Sequence, residues 1–459
     1  MNIKESFIKY MEEAIGHENA LVAFSAFEEP ASTAVRYNPF KKHNEMEGRT
    51  VHWSEHGLIL PERPVFTLDP TFHAGAYYVQ DSSSMFVGYA FRKMLSSLEL
   101  PTSRPVRVLD LCAAPGGKTT DLAASLREAF GDRFILVANE VMKARVGILA
   151  DNVALWGDPN IVVTSDDPVA FGSLPGFFDV IVTDVPCSGE GMFRKDEEAV
   201  QQWSEDNVSL CEARQRRILA DVWPSLREGG LLVYSTCTFN RRENDGNVEW
   251  IASELGADIL TSEDSLGGMP GVLKTDRGYS LVPGHVEGEG QYCAALRKTG
   301  HDIVADQPIR AKKVQRPSKG PAIPEGLQRL MNVPVVLRTK GETITAVPDN
   351  IAADVVRVED TLHVVAAGCA VGVIKGKDLV PDADLALSLL LADDAYPSVE
   401  LDRQSALQFL HRDALTFPDA PKGYLLLKHE GLALGFVKNL GNRSNSLHPQ
   451  SRRIRMDIR

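Results

Sequence analysis

The sequence predicts an α/β fold built on a Rossmann-like doubly wound sheet, with an N-terminal α+β region before it and small β-rich modules after it. Three observations carry this expectation. Between about residues 104 and 255, apolar runs of strand length alternate with longer helical stretches, the pattern of successive βαβ units. The first run ends in a small-residue turn, Asp110-Leu111-Cys112-Ala113-Ala114-Pro115-Gly116-Gly117-Lys118, that opens a helix. Two later runs close on cysteines, Cys187 and Cys237. Open α/β sheets collect ligands just beyond the carboxyl ends of their strands, so both thiols are expected at one crevice.

In chain order, residues 5–15 are patterned as a helix, and the rest of the segment 1–100 is mixed. The expected domain over 101–300 begins with a strand at 106–111 and a helix at 118–130. A second strand at 134–138 precedes a helix over 143–156, with apolar Val146, Leu149, Val153 and Leu155. The third and fourth strands fall at 161–163 and 179–183. A long helix over about 198–227 leads through Gly229-Gly230 into a fifth strand at 231–234, and 243–255 is helical. Residues 291–297 read as a final edge strand. A Pro- and Lys-rich linker spans 301–324. Beyond it, β-branched runs at 333–337 and 362–365 mark a small β-rich module over 325–390, and runs at 423–428 and 434–438 mark a barrel-like module over 391–459.

Composition bounds the rest. At 459 residues, 44% hydrophobic and 24% charged, the chain is ordinary globular material for two to four domains. Six cysteines without C-x-x-C spacing argue against a disulfide scaffold and a structural zinc site, and point to a reducing cytoplasm. Cys211, Cys293 and Cys369 suit apolar packing. The charged start and the lack of a membrane-length apolar run point to a soluble, cytoplasmic protein, taken as a monomer that needs no metal. A net charge of −13 opposes polyanion binding on average. Cations nevertheless cluster at Arg310, Lys312, Lys313, Arg316 and Lys319, and at Arg443, Arg452, Arg453, Arg455 and Arg459.

The turn at 112–118 is placed for a nucleotide-like cofactor, because small residues let a ligand approach the backbone at a helix N-terminus. It does not complete a phosphate-cradling G-x-x-x-x-G-K-[ST] loop, since Cys112 stands at the first glycine, and the dinucleotide pattern G-x-G-x-x-G is absent. Glu140 closes the second strand, where an acid accepts from ribose hydroxyls; the alternative is a solvated strand-end carboxylate.

These elements resemble the S-adenosylmethionine-dependent RNA cytosine-carbon-5 methyltransferases of the NOL/NOP/Sun family. The residues that carry the resemblance are the 110–118 turn, Glu140, Asp184-Val185-Pro186-Cys187-Ser188-Gly189 and Thr236-Cys237-Thr238, with residues 73–85 upstream. Residues 188–195 and a C-terminal module similar to PUA-like RNA-binding domains point toward the bacterial ribosomal RNA small subunit methyltransferase F group. The resemblance implies a methyltransferase sheet flanked by RNA-binding regions, with S-adenosylmethionine held by Cys112, Ala113, Ala114, Pro115, Gly116, Gly117, Lys118, Glu140, Asp167 and Asp184. Asp167 takes the adenine role, with Asp166 its neighbouring competitor. It further implies Cys237 as nucleophile, Cys187 as the residue that assists release, and Asp184 between cofactor and base. DNA cytosine methyltransferases place their nucleophile after a proline, which would be Cys187, so the residues alone leave that order open. The sequence departs from the family at Val185 and at Gln291-Tyr292, neither expected to touch a reacting atom.

The chemistry wants thiols. Carbon 5 of cytosine is a poor nucleophile until a thiolate adds at carbon 6, and a thiol, unlike a hydroxyl, then leaves readily. The expected substrate is RNA, 16S ribosomal RNA before transfer RNA, with an RNA-binding assembly factor as the reading from another class. Unstacking a paired base costs a few kcal/mol. Arg36, Lys41, Lys42 and the terminal arginines are the expected grip on RNA.

Overall fold

The computed structural model describes residues 4–262, 265–300, 323–376 and 378–458; residues 301–322 of the linker, with their basic cluster, lie outside the described residues. One mixed sheet of ten strands dominates. Its strands are β1 (Val106–Asp110), β2 (Phe134–Asn139), β3 (Ile161–Thr164), β4 (Phe178–Asp184), β5 (Leu226–Thr236), β6 (Ala257–Ile259), β7 (Leu273–Lys274), β8 (Tyr279–Leu281), β9 (Gln291–Lys298) and β10 (Val364–Ala367). The order is β7-β8-β9-β5-β4-β1-β2-β3-β10, with β6 also paired to β9. β1 through β5 run parallel. The chain winds outward from β1 in both directions, so the crevice that binds ligands in such sheets opens beyond the carboxyl ends of β1, β4 and β5.

The parallel strands are apolar nearly throughout because both faces are covered. Every residue of β2 is buried. One face packs under helix α1 (Gly117–Phe130), helix α2 (Lys143–Trp156) and a helix at Phe86–Leu95, through Phe86, Phe91, Leu122, Leu126, Leu149 and Trp156. The other packs under helix α3 (Glu205–Val222), through Ile218, Leu219 and Val222.

Four expectations need correction. Residues 291–297 are not at an edge: β9 lies antiparallel to β5 on one side, and β8 and β6 cover its other side. The helix expected over 198–227 is broken at Trp203, where the chain turns extended and Ser204 caps α3 by accepting from the Asn207 amide at 3.1 Å. Pro224 sits in a 3-10 turn at the end of that helix, and β5 starts at Leu226, before Gly229-Gly230 rather than after it. The 243–255 helix is a single α segment, Asp245–Trp250, followed by a π turn, Ile251–Gly256.

The fourth correction concerns the 325–390 module, which does not stand apart. It has its own sheet of Val335–Lys340, Thr343–Pro348, Cys369–Lys375 and Asp378–Pro381. It also gives β10 to the large sheet, antiparallel to β3, and its helix Ala352–Thr361 lays Val355 and Val358 on the sheet's core. Arg107 of β1 pairs with Asp354 of that helix at 2.6 Å.

The N-terminal region begins with helices Glu5–Ile15 and His17–Ala26 and continues in a sheet of Arg49–Val51, Ser54–Leu60, Thr33–Tyr37 and Tyr77–Val79. The C-terminal module is a sheet of Ser398–Glu400, Gly423–His429, Leu432–Asn439 and Ser444–Ser446 with a helix at Arg403–His411. These two ends of the chain share one core, in which Val35, Tyr37 and Leu60 meet Leu407, Leu410 and Leu427. Among the described residues, no helix is long and apolar enough to cross a membrane.

Candidate active site

The 112–118 turn links β1 to α1, and small residues shape it. Gly116 has φ of 112°, left-handed backbone that a side chain rarely adopts, and a Cβ at Gly117 would press against Tyr78 at 3.3 Å. Asp110 is fully buried: Oδ2 accepts from Thr119 Oγ1 at 2.6 Å, while Oδ1 has no partner. Burial pushes its carboxyl up to about 7. Cys112 is half-buried against the Thr183 hydroxyl at 3.8 Å, and burial raises its thiol to about 12, so it offers the turn a neutral thiol and not a thiolate. Ala113 and Ala114 are buried, and Pro115 is exposed with its carbonyl accepting from Asn152 at 2.8 Å.

Glu140, at the end of β2, is buried. Its Oε1 accepts from the Met142 amide at 2.8 Å, and Arg145 lies 3.3 Å from Oε2. Of the two candidate acids after β3, Asp166 is committed to the module: its Oδ2 accepts from the His363 amide at 2.7 Å. Asp167 is exposed, with Oδ1 on the Val169 amide at 3.2 Å and Oδ2 3.6 Å from Arg217. The small turn, the orphaned Asp110 oxygen and carboxylates at the ends of β2 and β3 fit a nucleoside cofactor bearing an amino-acid tail.

Lys118 reaches across the turn to Asp184 at 2.9 Å and to Ser84 Oγ at 3.0 Å. Asp184 also accepts from Ser235 Oγ at 3.0 Å and Gln291 Nε2 at 3.2 Å. Burial acts to raise Asp184, but Lys118 and these hydrogen bonds outweigh it and hold the carboxyl below its ordinary range. Gln291, a departure from the family, thus braces Asp184 without touching either sulfur; its amide is also fixed on the Thr236 carbonyl at 2.8 Å.

Cys187 and Cys237 follow adjacent parallel strands, β4 and β5, and their sulfurs lie 3.1 Å apart. Both side chains are half-buried free thiols. The hydrogen bond to Cys237 and burial push Cys187 well above the usual thiol range. Two thiols in such contact allow one, once deprotonated, to add to an electrophilic carbon while its neighbour stays close enough to donate to it. Among the described residues, no group of three or more His, Cys, Asp or Glu side chains is placed to hold a metal ion.

The expected RNA grip dissolves in part. Arg36 is 1% exposed and bonds Gln80, Gly117 and Thr120; it joins the N-terminal sheet to α1. Lys41 is spent on the carbonyls of Ala74 and Leu155, both at 2.8 Å. Arg452 pairs with Asp384 at 2.7 Å and Asp151 at 3.0 Å. Lys42, Arg443 and Arg455 are exposed, and Arg453 is half-buried near His411. Arg459 lies outside the described residues.

Sequence reasoning missed Ser84, Glu190 and Glu243. Glu190 stood inside a quoted motif, but a charged residue in a polar loop gives no sign that it is buried.

The family 16S rRNA methyltransferase RsmB/F matches residues 98–297, the methyltransferase RsmF PUA domain residues 396–454, and the N-terminal domain of 16S rRNA methyltransferase RsmF residues 3–82. The ribosomal RNA small subunit methyltransferase F of Shewanella loihica is 31% identical over 416 residues, 86% of this chain and 82% of that one. Its counterpart from Klebsiella pneumoniae is 38% identical over 229 residues, which cover 49% of this chain and 46% of that one, so the chain matches about half of this relative's length. Two solved structures share the fold. A methyltransferase homolog protein from Pyrococcus horikoshii has a TM-score of 0.51 at 24% identity, covering 64% of this chain and 100% of that one. NSun6 from the same organism has a TM-score of 0.52 at 19% identity, covering 65% and 99%.

Proposed function

We propose, for a chain that belongs to the ribosomal RNA small subunit methyltransferase F family, that it methylates carbon 5 of a cytosine in 16S ribosomal RNA through a covalent bond from Cys237. S-adenosylmethionine is the cofactor, held by residues 112–118, Glu140 and Asp167; when bound it supplies an electrophilic methyl group. The observation that carries the reading is the pair of sulfurs 3.1 Å apart beside an ionised Asp184.

The chain's own residues divide the work. The Cys237 thiolate bonds to carbon 6 of the flipped base, which makes carbon 5 nucleophilic. Asp184, kept anionic by Lys118, accepts from the exocyclic amine and orients the ring. After methyl transfer carbon 5 gives its proton to solvent water, the C–H electrons re-form the ring double bond and expel the Cys237 sulfur from carbon 6 as thiolate, and Cys187 steadies that departing thiolate by donating a hydrogen bond from its S–H.

Denaturing electrophoresis of the protein incubated with total RNA and S-adenosylmethionine tests this directly. Cys187→Ala is expected to accumulate an RNA-linked species, and Cys237→Ala to form none. The reverse pattern would exchange the two roles, and no adduct from either variant would end the covalent reading.

A further inference from the structure

The loops that carry the two cysteines are tied by an exchange of buried carboxylates. Glu190, three residues after Cys187, sends Oε2 across to the loop of Cys237, where it accepts from the amides of Phe239 at 2.8 Å and Asn240 at 3.0 Å. Glu243, six residues after Cys237, sends Oε2 back to accept from the amide of Ser188, next to Cys187, at 3.1 Å. Both are buried, at 1% and 0% exposure.

Their remaining valences are also filled. Glu190 Oε1 accepts from Trp203 Nε1 at 2.8 Å and Asn240 Nδ2 at 2.9 Å. Glu243 takes Gln215 Nε2 at 2.7 Å and Asn240 Nδ2 at 2.7 Å. The hydroxyls of Ser188 and Thr238 meet at 2.8 Å, and the Gly191 amide donates to the Cys237 carbonyl at 2.9 Å. Among the described residues, no Lys or Arg is ion-paired with either glutamate, so neutral donors alone hold two buried carboxylates.

Two buried carboxyl groups without a cation are expensive as mere packing, because apolar side chains or hydrogen-bonded amides would serve a structural loop with less desolvation. What this arrangement fixes is the spacing of the sulfurs. Each carboxyl group grips backbone amides within three residues of the opposite cysteine, so neither loop can slide without breaking these hydrogen bonds. We propose that Glu190 and Glu243 are positioning residues that hold Cys187 at the Cys237 sulfur so that the base is released after methylation. This rests on the proposed roles of the two thiols.

The expected signature is a release defect. A misplacement of about 1 Å at a reacting group costs on the order of 100-fold in rate. Glu243→Gln places an amide NH2 among the donors of Ser188, Gln215 and Asn240, which forces the loop to shift. Its turnover is expected to fall at least 10-fold, with an RNA-linked species accumulating as in Cys187→Ala, while the KM for S-adenosylmethionine stays within 2-fold. Ser188→Ala removes the hydroxyl contacts with Thr238 and Asn240 and serves where the first variant fails to fold; it is expected to show a smaller adduct of the same kind.

Cys187→Ala runs beside them as the control. Adduct in that control, with wild-type turnover and no adduct in folded Glu243→Gln, overturns the clasp alone, as does its absence in Ser188→Ala should Glu243→Gln not fold. No adduct in the control overturns the assignment of the thiols on which the clasp rests.

Discussion

Arg36 offers the sharpest separation between a charge that grips RNA and a charge that holds the fold. Its guanidinium donates to Gln80 Oε1 at 2.8 Å, the Gly117 carbonyl at 3.2 Å and Thr120 Oγ1 at 2.6 Å, and it stacks 4.7 Å from the Trp156 ring. Asp121 lies 3.9 Å away. Burial lowers its pKa and Asp121 works against that. Hydrogen bonds from a charged donor contribute roughly 1.5–3 kcal/mol each, but they share one desolvated group and do not add. Nη1 is buried without a partner, which lowers the total. Arg36→Met keeps the stem against Trp156 and deletes the donors, leaving Gln80 and Thr120 to face an apolar chain. The expected loss is about 3 kcal/mol, within the range for breaking a buried charged contact. Urea unfolding followed by tryptophan fluorescence measures it. The same variant should leave the salt dependence of RNA binding intact, whereas loss of a phosphate contact lowers the slope of log K against log salt by about 0.7. A lower slope with stability within about 0.5 kcal/mol of wild type would refute this account and return Arg36 to the RNA surface.

Two further outcomes concern the carboxylates around the cofactor turn. Asp110 keeps its proton in the folded state up to about 7, against 3.8 when unfolded, so its stabilising share is complete below 3.8 and is lost as pH rises toward 7. Against Asp110→Asn, which cannot titrate, the wild type should therefore lose roughly 2–4 kcal/mol of relative stability between pH 4 and 7 in parallel urea titrations; a constant difference would contradict the burial argument. His363→Pro removes the amide that holds Asp166, beside the proposed adenine carboxylate Asp167. Calorimetry should show S-adenosylmethionine binding weakened about 3- to 10-fold, the loss of one hydrogen bond to a charged group, with RNA affinity unchanged.

The parts of the fold that were legible are those set by local pattern. The turn at 112–118, the helix over 143–156 and the carboxyl ends of the fourth and fifth strands are written in short apolar periods and small residues; the structure has the turn and helix in place and carries the two strands on to Asp184 and Thr236, one and two residues past the expected 183 and 234. What escaped was decided at a distance. The helical pattern runs on past Trp203, yet the chain breaks there because Glu190 draws the indole inward. The run Val364-Val365 reads as a strand, but nothing local says that it completes the large sheet beside β3. Arg36 looks like a surface cation because its partners Gln80, Gly117 and Thr120 lie between 44 and 84 residues away. Tertiary pairing overrides local propensity in each case.

The charge around the two sulfurs is lopsided, an asymmetry that suits the proposed division of one task between two thiols. Asp184 ends β4, Glu190 and Glu243 lie in the loops that follow β4 and β5, and Lys118 pairs with Asp184. Burial acts to lower Lys118, but Asp184 and then the Cys237 sulfur hold its charge in place. Cys187 feels the other thiol, burial and Glu243, all of which oppose its ionisation. Two sulfurs 3.1 Å apart cannot both be anions at modest cost in such a site. Under the proposed roles Cys237 attacks as thiolate while Cys187 stays a thiol beside it, and the hydrogen bonds that join the two loops hold the pair in contact.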